Sequence, residues 1–124
     1  MTKAELHRYC KLQVAEFRYS ISEGSLGSPW PVEKVQAQLL ECESALVSPY
    51  ELSIELRDTV GQMKADPPQL KNVLVVADDR NGYLVFYDPI IRIFGLAEYA
   101  TGRDRGRASS INVNGDFIGT FFAR

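Results

Sequence analysis

At 124 residues, 45% of them hydrophobic and 24% charged, the chain has the size and make-up of one globular domain. A net charge of −2 and only two cysteines exclude a dedicated polyanion binder and a disulfide-stapled scaffold. No stretch approaches the ~20 apolar residues of a membrane span, and Met1-Thr2-Lys3-Ala4-Glu5 lacks the apolar run of a signal peptide, so the expectation is a single cytoplasmic domain over residues 1–124.

The first element is a helix. Thr2-x-x-Glu5 is a capping box, in which hydroxyl and carboxylate answer reciprocal backbone amides. Leu6, Cys10, Val14, Phe17 and Ile21 then recur every three or four residues as one apolar stripe. Ser22-Glu23-Gly24-Ser25-Leu26-Gly27 ends it, because paired glycines make helix continuation costly. Ser28-Pro29-Trp30-Pro31 opens a second helix with the stripe Val32, Val35, Leu39, Cys42 and Leu46, and Trp30 is expected to plug the junction between the two, with an exposed binding anchor as the alternative. Ser48-Pro49-Tyr50-Glu51 repeats the start signal and predicts a third helix carrying Leu52, Leu56, Val60 and Met63, stopped at Asp66-Pro67-Pro68.

Beyond residue 70 the period changes from helical to extended. Val73-Leu74-Val75-Val76 is short and β-branched, and Tyr83-Leu84-Val85-Phe86-Tyr87 is its natural partner across a turn at Asp79-Arg80-Asn81-Gly82. Asp88-Pro89 breaks that strand, and Ile90–Leu96 offers a third, with strand and short helix both open over residues 96–100. Thr101–Ser109 reads as a polar loop. Asn114-Gly115 predicts a second hairpin between Ile111–Val113 and Phe117–Ile118, after which Phe121 and Phe122 dock on the core. The expected architecture is α+β: three N-terminal amphipathic helices (residues 2–65) packed on a C-terminal antiparallel sheet of four or five strands (residues 72–122).

Candidate chemistry is sparse. His7 is the sole histidine and no serine sits in a Gly-x-Ser-x-Gly elbow, so a serine triad has no parts. The spacing of Cys10 and Cys42 matches no zinc pattern, and both read as reduced core residues; no metal or cofactor is expected. Asp78, Asp79 and Asp88 cluster at the first hairpin, where an aspartate pair can do acid–base work but more commonly caps turn amides. Gly102-Arg103-Asp104-Arg105-Gly106-Arg107 is a basic loop whose forks at Arg103, Arg105 and Arg107 can grip phosphates; it lacks the glycine spacing and lysine of a nucleotide cradle.

Two features point to a protein partner. Residues 31–58 are net −4, and Glu41, Glu43, Glu51 and Glu55 lie within them, a surface that would speed encounter with a basic protein. Tyr83 and Tyr87 share one strand face and can add contact area at small entropic cost. The strand-turn-strand segment Ala77–Pro89 also resembles the sheets of small bacterial immunity proteins, and that resemblance implies an inhibitor acting by occlusion. The function expected is a non-enzymatic protein-binding module. The alternatives are a small-ligand or enzyme domain with Asp88, Tyr83 or Tyr87 in an apolar pocket, and, more weakly, nucleic-acid contact through the arginine loop.

Overall fold

A computed structural model describes residues 1–17, 31–56, 69–99 and 108–124. Helix α1 spans Lys3–Glu16 and α2 Val32–Ala45. Strands follow at Leu46–Glu55 (β1), Leu70–Asp78 (β2), Tyr83–Asp88 (β3), Ile93–Tyr99 (β4) and Ala108–Gly115 (β5), and a short helix α3 occupies Phe117–Phe122. Each strand pairs antiparallel with the next, and β5 returns to lie parallel to β1 at Glu55 opposite Ser109, so the sheet is mixed and closes into a barrel. The chain is therefore α+β, with helices at both ends of the described chain rather than all before the sheet.

A small closed barrel has an interior just wide enough for side chains to fill. Here Ile54, Val73, Val75, Leu84, Phe86, Ala97 and Ala108 fill it. The alternate residues of the same strands face outward into a second core beneath the helices. Val76, Val85, Tyr87, Phe94 and Leu96 meet Leu6 and Cys10 of α1, Cys42 and Ala45 of α2, and Phe117, Ile118 and Phe121 of α3. Strands β2 and β3 are thus apolar on both faces, which is why their sequences read as continuous apolar runs.

The hairpin between β2 and β3 stands where its turn residues place it. The left-handed backbone falls at Arg80 (φ 58°) and Gly82 (φ 109°), so Arg80 takes the positive φ expected at Asn81. The Asp78 carboxylate accepts the Arg80 amide at 2.8 Å, which helps hold that conformation. The next turn uses the same device. Asp88 Oδ1 accepts the Ile90 amide at 2.9 Å, and Arg92 (φ 57°) donates its amide to the Asp88 carbonyl.

Several expectations are corrected. Residues 48–55, expected to start the third helix, and Leu46, expected on the stripe of the second, belong to β1. Tyr50, Leu52 and Ile54 alternate, and the Leu52–Leu56 spacing of four fits a strand as well as a helix. Pairing across Tyr50–Val75 to Glu55–Leu70 settles the ambiguity in favour of the strand. Asn114-Gly115 makes no hairpin: both residues stay in β5, and Phe117 and Ile118 enter α3, where they, with Phe121, share a buried helical face. The third strand begins at Ile93 and runs through Tyr99, with Pro89–Arg92 forming the turn before it; strand wins over helix at residues 96–99. Ala108 and Ser109, placed in the polar loop, begin β5. The α1 stripe also stops early, since Phe17 is already extended (ψ 133°). Ile21, the Ser22–Gly27 stop, Trp30, Val60, Met63 and the Asp66-Pro67-Pro68 stop lie outside the described residues.

Candidate functional site

The residues singled out from sequence do not converge. Glu41 is exposed on α2 but held by Arg124. Glu43 stands on the same helix beside α1, and Glu51 is exposed on β1. Glu55 is 8% exposed at the β1–β5 seam, where the Ser109 hydroxyl donates to it at 3.3 Å, so it offers no acidic surface. Tyr87 is likewise 8% exposed, packed against Phe94 beneath the helices, and only Tyr83 keeps a partly open edge. The tyrosine face of β3 is therefore the covered face. Arg103, Arg105 and Arg107 lie outside the described residues.

The three aspartates are engaged in holding turns. Asp79 Oδ1 accepts the amides of Asn81 and Tyr83, at 2.8 and 3.0 Å. Its other oxygen receives Arg124 Nη1 at 3.2 Å. Arg124 also donates to Gln38 Oε1 at 3.0 Å and to Glu41, and its guanidinium lies 4.1 Å over the Phe121 ring. One side chain thus ties the hairpin, α2 and α3 together. Asp78 Oδ2 accepts the Tyr99 hydroxyl at 3.0 Å, and Tyr50 approaches that hydroxyl in turn. Burial, with the Tyr50 hydroxyl and the Asp78 carboxylate beside it, raises the Tyr99 phenol above its ordinary range. Asp88, 1% exposed, is ion-paired to Lys71. A buried carboxylate so satisfied is a structural anchor.

A cleft of about 390 Å³ sits at this hairpin, between Leu40 and Ser44 of α2 and Asp78–Asn81. Among the described residues no three histidine, cysteine or carboxylate side chains are grouped to hold a metal ion. Cys10 and Cys42 are free and buried, and burial pushes each thiol up to about 12, with Arg124 partly opposing this at Cys42. Such thiols are inert rather than nucleophilic. Among the described residues no helix is long and apolar enough to cross a membrane.

The larger concave feature is a groove of about 1240 Å³ between α1 and α2, floored by the start of β1. Helix α1 leans chiefly on β1, whereas α2 touches α1, β2 and α3 lightly and to a similar extent. Each also carries a second stripe beside its core-facing one. On α1 this is Arg8, Leu12 and Ala15; on α2 it is Gln36, Leu40 and Glu43, both at i, i+4, i+7 spacing. Leu12 is 48% exposed and Leu40 65%. Leu39, Leu46 and Pro49 complete the apolar floor.

Polar groups share the groove with the apolar ones. Lys3, Arg8 and Lys11 line its α1 wall, His7, Gln36 and Ser48 join them, and Glu43 is the carboxylate among the described lining residues. His7 Nδ1 lies 3.1 Å from the Val47 carbonyl, which can only accept, so the ring holds its proton there. His7 is half-buried there. Sequence reading missed Leu12 and Leu40 because it followed one stripe per helix. The signal that finds them is a leucine off the core stripe with apolar or long-stemmed neighbours four residues away.

The chain matches no protein-family model, no curated protein and no solved structure.

Proposed function

We propose that the protein is a non-enzymatic protein-binding module whose recognition surface is the groove between α1 and α2. The observation that carries this reading is the pair of exposed leucines, Leu12 and Leu40, facing a concave apolar floor on a chain of only 124 residues. Contiguous apolar concavity rimmed by charge is the mark of an interaction site. Support for a non-catalytic role comes from the carboxylates at the hairpin, which are occupied with turn amides, Lys71 and Arg124. The buried, free thiols suit a reducing compartment such as the cytoplasm. A basic partner on the acidic stretch is the less supported version, because Glu41, Glu43, Glu51 and Glu55 do not gather on one face.

Tagged full-length protein, used to capture partners from its native host, tests this directly. A stoichiometric partner should be retained by the wild type and by Glu51→Lys, and lost from the Leu12→Asp/Leu40→Glu variant. Circular dichroism and a thermal melt establish that the variant is folded. Retention of the partner by a folded groove variant would sink the proposal.

A further inference from the structure

The geometry points to a specific occupant for this groove: an amphipathic helix of a partner protein, with an apolar ridge flanked by aspartate or glutamate. The inference rests on the reading of the chain as a protein-binding module and names the chemistry of what it binds.

Size is the first argument. Small-molecule sites enclose roughly 300–1,000 Å³, and the groove, at about 1240 Å³, is larger. Its α1 wall is a 14-residue helix, about 21 Å long at 1.5 Å per residue. That length matches a ridge of side chains at i, i+4, i+7 and i+11 on a docked helix.

The second argument distinguishes helix from strand. An added strand needs free backbone donors and acceptors along the edge it joins. Where β1 borders the groove, the Val47 carbonyl is taken by His7, and Pro49 has no amide hydrogen to give. A helix satisfies its own backbone and asks only for apolar contact, which Leu12, Leu39, Leu40 and Leu46 supply.

Charge decides the flanks. Among the described residues, three cations, Lys3, Arg8 and Lys11, line the groove against the single carboxylate of Glu43. All three stand on α1, interleaved with Ala4, Leu12, Val14 and Ala15, so the α1 wall is both cationic and apolar. Acidic side chains flanking the incoming ridge are attracted to that wall, and basic ones are repelled by it.

The test uses the full chain and fluorescence anisotropy at low salt with three ligands, two labelled peptides and one unlabelled competitor. One is an 18-residue helical peptide with leucines at the ridge positions and glutamates beside them. The second replaces those glutamates with lysine, and the third is oleate in competition with the first. Saturable binding of the acidic peptide is expected, with the lysine peptide at least about tenfold weaker and the preference reversed by Lys3→Glu/Arg8→Glu/Lys11→Glu. Leu12→Asp/Leu40→Glu should weaken the acidic peptide by at least about tenfold. Equal binding of both peptides, or displacement of the acidic peptide by stoichiometric oleate, overturns the inference. Absence of peptide binding, where Leu12→Asp/Leu40→Glu still abolishes capture of the native partner, also overturns it while leaving the binding-module reading standing. Capture unaffected by that variant removes the broader reading instead.

Discussion

The two sides of α2 follow opposite rules. Toward the β2–β3 hairpin, charge meets charge: Arg124 bridges Asp79, Gln38 and Glu41, and Asp79 closes the turn beneath it. Toward α1, Leu39 and Glu43 line the groove together with Leu12 and the cations of α1, and Leu40 stands exposed on the crest that borders both the groove and the hairpin cleft. The hairpin side uses polar groups to bind the molecule to itself. The groove side leaves apolar groups for something else. What separates a structural surface from a functional one here is whether its side chains already have partners, and the count of charges on each side is a poor guide to that.

Removing a partner on the saturated side should have the largest effect. Asp79→Ala takes the acceptor from two turn amides and strands the Arg124 guanidinium, so it should cost about 2–4 kcal/mol in denaturant unfolding. A midpoint shift inside about 0.5 kcal/mol would mean that the hairpin side is as loosely held as the groove.

The layer between the two sides supplies the next test. Burial pushes Cys10 and Cys42 up to about 12 in the folded chain, whereas an unfolded thiol ionises near ~8.5. The unfolded chain therefore releases these protons first. Stability from this source is complete below the unfolded value and declines as pH rises toward the folded one, by up to about 1.4 kcal/mol per unit per thiol. Melts at pH 7 and pH 10 should show a larger loss for the wild type than for Cys10→Ala/Cys42→Ala. Equal losses would show that the thiols are not sealed beneath the helices.

The smallest effect is expected at the groove itself. Leu12→Ser or Leu40→Ser removes an exposed side chain and should change unfolding free energy by no more than about 0.5 kcal/mol. A loss comparable with Asp79→Ala would place the leucines in the core and erase the contrast between the two sides.

Local signals read correctly where local physics decides the outcome. The Thr2–Glu5 capping box forms in both directions, and its hydrogen bonds with Thr2 hold the Glu5 carboxyl below its ordinary range. The Asp79–Gly82 turn forms because its amides find acceptors within four residues. Failures came where distant residues decide. Leu52 and Leu56 fit either period, and only the presence of β2 alongside makes β1 a strand. Asn114-Gly115 is a strong turn signal overruled by β4, which pairs straight through it. The groove was least legible. It depends on the spacing of two helices set by the barrel under them, and no periodicity within one helix encodes that distance.

One close approach inside the barrel carries a further consequence. Strands with apolar side chains on both faces lose the usual penalty for misalignment, since a slipped pairing still buries hydrocarbon on either side. Here Phe86 lies opposite Gly95, and its ring occupies the space that a Cβ on residue 95 would fill. Sliding β4 along β3 would bring a larger residue under that ring: Phe94 or Leu96 after one step, Ile93 or Ala97 after two. The glycine thus acts as a notch that accepts the chain in one alignment only. It supplies by shape the proofreading that polarity provides in half-exposed sheets.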